Sequence, residues 1–185
     1  AAGDDEKGAV AVITVDVSAE AKGLALTIPQ TAVTALGKTN NLSLRVETDL
    51  GTLTFDEKAV AAISGASGSK GITLSVTTAD TGSLDETVKE VIGDRPVYDF
   101  TMTSGDSQIS SFGAGSVQIS IPYTLAEGED PKAVVVYYIN DEGTLAAVRG
   151  AYNEKTGAVD FTVRPFRIEV DGSENFLVGS RHALG

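Results

Sequence analysis

The stretch AVVVYYINDEGTLAAVRGAYNEKTGAVDFTV, residues 133–163, decides the fold class. Its apolar runs are short and are separated by Asn140-Asp141-Glu142-Gly143 and by Asn153-Glu154-Lys155-Thr156-Gly157. Both separators read as hairpin loops, because each ends in a glycine that takes positive φ without steric cost. Two consecutive hairpins are therefore expected over these residues. Within the first strand Tyr137 and Tyr138 are adjacent, and successive side chains of a strand point to opposite faces. One ring is expected in the core and the other on the surface.

Working outward, the same period-two alternation recurs along the chain. It is carried by Val10, Val12, Ile13, Val15 and Val17, by Leu24, Leu26 and Ile28, by Leu42, Leu44 and Val46, by Leu53 and Phe55, and by Ile72, Leu74 and Val76. A second group follows at 97–102, 117–121, 134–139, 159–163 and 166–170. Short strands at regular spacing with turn residues between them favour an antiparallel sandwich or barrel over a parallel α/β sheet. The expected fold is mostly β, with antiparallel sandwich-like layers and short helical turns in the first half.

Helical signal is confined to 29–36, 56–63 and 84–92. Pro29 suits a first helical turn, and Asp56 can cap the second piece with Glu57 beside its positive end. All three read as one- or two-turn connectors. GLALTIPQTAVTAL at 23–36 and GTLTFDEKAVAAI at 51–63 echo one another, each passing from an alternating strand into an Ala-Val-x-Ala turn of helix. Two copies imply a supersecondary unit used twice, too few for a solenoid. Residues 64–69, SGASGS, read as a flexible loop. A boundary at Gly93-Asp94-Arg95-Pro96 is expected to separate two associated subdomains, 9–94 and 95–170, with a tail at 1–8 and a tail or junction at 171–185.

Composition narrows the function. The 185 residues hold 26 acidic and 14 basic side chains, a formal charge of −12, which repels nucleic-acid phosphates and anionic lipid headgroups. Neither nucleic acid nor membrane is an expected partner. The acids are dispersed among strand-like segments and serve first as a solubilising surface. With no cysteine there is no disulfide framework, thiolate metal site or cysteine nucleophile. No apolar run approaches the roughly eighteen residues of a spanning helix. The opening AAGDDEKG lacks the basic-then-apolar order of a signal peptide, so an export signal would have been removed or would lie outside this stretch.

Candidate chemistry is sparse. His182 is the single histidine, so a Ser-His-Asp relay or a multi-histidine metal site cannot be built within one chain. Paired carboxylates could in principle serve a glycosidase, but the acids cluster in turns and no tryptophan stands beside them to hold a sugar. No catalytic residue is expected, and the chain reads as a non-enzyme. Calcium takes loop carboxylates and carbonyls. Asp130, Asp141 and Glu142 are its candidate ligands here, although no EF-hand spacing is present and solvated turns account for the same residues. Tyr123, Tyr137, Tyr138 and Tyr152 are the candidates for stacking on a sugar ring, with core packing as their other use. Gly113-Ala-Gly115 precedes a strand and not a helix, and so reads as a turn and not as a phosphate loop.

Arg95-Pro-Val-Tyr-Asp-Phe100, Ile109-Ser-Ser-Phe112, Val117-Gln-Ile-Ser-Ile-Pro-Tyr123, Gly128-Glu-Asp-Pro131, Val134-Val-Val-Tyr-Tyr-Ile139 and the run 152–163 resemble an accessory β-module of secreted, cell-surface proteins of Gram-positive bacteria of clostridial and Paenibacillus type. The segment 23–63 resembles the portion that usually precedes it, so the resemblance spans about residues 9 to 170. It implies a spacer or attachment module, found before S-layer homology repeats or beside glycanase and adhesin modules, with neighbouring domains and polysaccharide as its partners and an extracellular location. The last strands are also similar to the β-module of zona occludens proteins and netrin receptors. Self-cleaving members of that wider group use histidine and serine flanking phenylalanine; here Pro165 and Arg167 stand in those places, so self-cleavage is not expected. Three functions remain in view: a structural spacer or attachment module of an exported surface or polysaccharide-degrading protein, a carbohydrate-binding module, and, least supported, a two-carboxylate glycosidase.

Overall fold

The structure, a computed structural model, describes residues 8–16, 22–82, 84–93, 97–109, 111–139, 145–148, 150–163 and 174–180. In chain order its elements are β1 (Ala9–Val15), β2 (Gly23–Ile28), α1 (Gln30–Lys38), β3 (Leu42–Thr48), β4 (Gly51–Phe55), α2 (Glu57–Ala66), β5 (Ile72–Thr78), α3 (Glu86–Ile92), β6 (Val97–Ser104), β7 (Ser107–Gln108), β8 (Val117–Pro122), a 3-10 turn at Pro131–Ala133, β9 (Val134–Ile139), β10 (Leu145–Val148), β11 (Gly150–Asn153), β12 (Ala158–Val163) and β13 (Glu174–Ser180). The expected strand at 166–170 and the turn at 140–143 lie outside the described residues.

The strands form two sheets. One runs β1-β3-β4-β8-β12-β11; the other runs β10-β9-β13-β6-β5-β2, with short β7 also bonded to β6. All pairings are antiparallel except β1 with β3, which is parallel. That exception has a simple cause. Between β1 and β3 the chain contributes β2 to the other sheet and returns through α1, a connection long enough for a parallel crossover.

Alternation sets the core. Leu44, Val46, Leu53, Phe55, Val117, Ile119, Ile121, Val159 and Phe161 line the inner face of the first sheet, and Ile28, Ile72, Leu74, Val76, Phe100, Met102, Val134, Val136 and Tyr138 line that of the second. Together they make one cluster, capped by Val33 of α1 and by Ala59, Val60 and Ile63 of α2. Both sheets draw strands from either side of residue 94, with β4 bonded to β8 and β5 to β6. The boundary expected at 93–96 is therefore not a division of the sheets or of the core.

The two hairpins expected over 133–163 are present, β9 with β10 and β11 with β12, but each belongs to a different sheet. Only one residue in sequence separates β10 from β11, although they belong to different sheets. The internal echo is also a structural repeat. Strand β2 runs into α1 and β4 into α2, one strand in each sheet, and the two helices pack on each other.

Two local expectations need correction. Residues 64–69 are not a flexible loop throughout: α2 extends to Ala66, and Ser67 is fully buried. Its hydroxyl donates to the Gln30 side chain (3.1 Å) or back to the Ser64 carbonyl (2.9 Å), which ties the end of α2 to the start of α1. The second concerns β9. Both Tyr137 (6% exposed) and Tyr138 (8%) are buried, because α3 covers the sheet's outer face and forms a second cluster in which Ile92 packs with Val97, Val135, Tyr137 and Ile139. The piece expected as a connector is a packing layer.

Gly115 shows how tightly these parts meet. A methyl group there would overlap the backbone nitrogen of Ala59 at the start of α2, and backbone cannot rotate out of the way. Because one core spans both halves, urea unfolding followed by far-UV circular dichroism and by tyrosine fluorescence should give one coincident transition. Gly115→Ala should shift it to lower urea by about 1–3 kcal/mol. Two separated transitions would restore the division at 94.

Candidate functional site

The four candidate tyrosines do not form a platform. Tyr137 and Tyr138 are used in the two clusters above, on opposite faces of β9. Tyr123 and Tyr152 do come together: their rings meet edge to face, with centroids 6.4 Å apart at 76°, a favoured arrangement for aromatic quadrupoles. The Tyr123 hydroxyl is held at the Glu129 carboxylate, 2.9 and 3.0 Å from its two oxygens. Glu129 Oε2 also accepts from the Ala126 amide at 2.9 Å, so the segment leading from Tyr123 folds back on its own ring.

Tyr152 alone of the four lines an open cleft of about 700 Å³. Pro131, Lys132 and Val134 form one side, and residues 150–155 with Asp160 the other. Register positions the polar groups. Tyr152 lies opposite Val159, Asn153 opposite Ala158, and Asp160 opposite both Ala151 and Ser120. The Asp160 carboxylate accepts from the Ser120 hydroxyl (2.6 Å) and the Asn153 side-chain amide (3.3 Å). Asn153 Oδ1 in turn accepts from the Lys155 amide (3.1 Å), while the Asn153 carbonyl closes the turn by accepting from Thr156 and Gly157. The cleft wraps the β11 edge: Tyr152 faces the core side, where it packs on Tyr123, and the Asn153–Asp160 pair lies on the opposite face of the sheet, so the ring and the amide-carboxylate pair do not face one another. Lys132 and Lys155 also line it.

Sequence reasoning singled out Tyr152 but missed Lys132, Asn153 and Asp160. A signal for Asp160 exists: it stands between Val159 and Phe161, so alternation alone sends it to the face opposite the core.

Of the calcium candidates, Asp130 caps the 3-10 turn, its carboxylate accepting from the Lys132 amide at 2.9 Å. Asp141 and Glu142 lie outside the described residues, as does His182. Among the described residues no three acidic or histidine side chains gather in a way that would hold a metal ion.

Asp56 is a carboxylate engaged through both of its oxygens. One oxygen accepts from the Ala59 amide (2.8 Å), capping α2 as expected, and the other accepts from both the amide (2.9 Å) and the hydroxyl (2.7 Å) of Ser116. The Asp56 amide donates to the Ser116 carbonyl at 3.1 Å. Burial alone would raise this carboxyl's pKa; the bonds from Ala59 and Ser116 outweigh it and hold the group below its ordinary value. The small cleft beside it, lined by residues 56–58 and 114–116, is the seam between α2 and the entry to β8, and its carboxylate is occupied by the fold itself.

Comparison of the chain with protein-family models, with curated proteins and with solved structures gives no match.

Asp56 generates a pH-dependent expectation. Its pKa is depressed in the folded state, so its stabilising contribution is complete above the unfolded carboxyl value near about 3.9 and is lost as pH falls through the lower folded value. Asp56→Ala should cost about 1–2 kcal/mol at neutral pH, and the gap from the parent chain should narrow as the pH falls below that of a free carboxyl. Urea midpoints measured across that range check both; a gap independent of pH would remove the charge from the account.

Proposed function

We propose that this chain is a non-catalytic module of an exported bacterial cell-surface or polysaccharide-degrading protein, acting outside the cell as a spacer or attachment aid between neighbouring domains. The observation that carries this reading is the use of its aromatic residues. Two of the four candidate tyrosines are interior, one on each face of β9, and Tyr123 is fixed to Glu129. Side chains that a ligand platform would display are used in holding the layers together. The shared core supports the same reading, since a module whose halves interleave in both sheets transmits position from one neighbour to the next as one body. The resemblance of residues 9–170 to accessory modules of Gram-positive surface proteins agrees with it.

A second reading has its own observation. The cleft at the β11 edge is lined by Tyr152 from the core side of the sheet and by Asn153, Asp160, Lys132 and Lys155, residue types that stack on or hydrogen-bond sugars, and this favours a carbohydrate-binding module. Affinity electrophoresis of the purified chain through soluble plant and bacterial polysaccharides, each with calcium and with chelator, separates the two. Unchanged mobility throughout is the outcome expected for the spacer. Retardation by one glycan class that disappears in Tyr152→Ala would replace it with the binding module. Hydrolysis of any of these glycans, abolished by exchanging one carboxylate, would overturn both.

A further inference from the structure

The outer face of the six-stranded sheet is polar across most of its width, with Arg45 and Glu47 on β3, Thr52 and Thr54 on β4, and Gln118 and Ser120 on β8. At the β1 edge this changes. Val10 and Val12 stand 53% and 54% exposed, and they are the exposed large apolar side chains of the described residues. Among the described residues β1 is bonded to β3 alone, so both valines lie on an edge strand. The strand, AVAVITV, has no charge and no proline, and its register with β3 is unbroken from Ala9 to Val15, so no bulge turns the edge away. Charges, prolines and bulges are the devices by which soluble proteins protect such an edge. On the inner side Ala11 and Ile13 border an apolar crevice of about 320 Å³ against α1.

We infer that β1 pairs with β1 of a second copy of this chain, antiparallel across a two-fold axis, joining two six-stranded sheets into one. Self-complementarity selects this occupant, and charge selects this place. Each copy carries a net charge of −12, so copies repel wherever acids are presented. Over β1 there is no charge, and beside it the charges of β3 cancel: Arg45 Nε lies 2.9 Å from Glu47 Oε1. An antiparallel pair of identical strands is self-complementary and closes after two members. A register centred on Ala11 places Val10 opposite Val12 of the partner subunit and Val12 opposite Val10 of the partner subunit. Four valines then cover one another on the outer face, while the two Ala11 side chains meet over the crevices. The inference is independent of the spacer reading, and a monomeric spacer would survive its failure.

Sedimentation velocity on the 185-residue chain, from micromolar to millimolar, tests it. The average mass should rise with concentration towards the dimer. Val12→Lys should weaken association by about tenfold or more, by placing ammonium groups in the valine cluster. Gln118→Lys makes the same charge change on the same face three strands away and should leave association as it was. Because both variants lower the net negative charge, general repulsion cannot explain a loss confined to Val12→Lys. Circular dichroism confirms that each variant folds. The register is tested separately, since the chain has no cysteine: Ala11→Cys should give a disulfide-linked dimer under mild oxidation, whereas Thr14→Cys, far from its own copy in this register, should not. A mass constant over the whole range without an Ala11→Cys dimer overturns the inference, and so does association that persists in Val12→Lys.

Discussion

Burial of β9 on both faces is the constraint on which the other elements depend. Val134, Val136 and Tyr138 point into the space between the sheets, and Val135, Tyr137 and Ile139 point the other way, under α3. A strand of this kind cannot sit at the surface: each large side chain left exposed would forgo about 1.5–3 kcal/mol. It requires a sheet opposite it and a lid behind it. The first requirement brings β11 and β12 across from β9 and fixes the interior of the sandwich; the second draws α3 onto the outer face. Backbone bonding supplies the third direction, with β10 on one side of β9 and β13 on the other. The segment between β5 and β6 is therefore an integral layer of the molecule, even though it is only seven helical residues long.

This explains where sequence reasoning succeeded and where it stopped. Alternation located the strands because most of them have one wet face, and period two is then written directly into the residues, as in Leu42, Leu44 and Val46 against Ser43 and Arg45. The Asp56 cap was legible for a similar reason: capping is local chemistry, settled within four residues. The double burial of β9 was also present in the sequence, as six successive apolar residues with no polar member, the pattern of a strand covered on both sides. What hid it was the assumption that α3 was too short to matter. Sheet membership was not legible. Nothing local says that β10 and β11, one residue apart, belong to different layers, or that β4 reaches past the apparent boundary to β8, because such pairings are decided by which faces are left to cover.

The candidate site follows the same division. Tyr137 and Tyr138 were correctly sent to opposite faces, but the fate of each depended on α3, a non-local element. Tyr123 and Tyr152 are far apart in sequence and meet because β8 and β11 both border β12, which brings the residue following one strand beside the other. The polar row on the outer face arises from that geometry as well: Ser120, Asp160 and Asn153 come from three successive strands and bond across the sheet. A cross-strand row of this kind orients an amide and a carboxylate without any loop being dedicated to them.

The edges of the two sheets differ in what they expose. A two-layer sandwich, unlike a closed barrel, leaves sheet edges, and among the described strands these are β1, β11, β10 and β2. Strands β10 and β11 have four residues each, too few to template another strand for long. Strand β2 has six, but it is preceded by Lys22, and its outward Thr27 pairs its hydroxyl with that of Thr73 at 3.0 Å, so a neighbour arriving there would meet an already satisfied polar surface. Strand β1 has seven residues, a continuous register and two outward valines. On a molecule this acidic, an uncharged edge is where repulsion between copies is least and the apolar gain is greatest. A surface selected only for solubility would place a lysine or a glutamate at position 12; valine there is the residue that a paired edge requires.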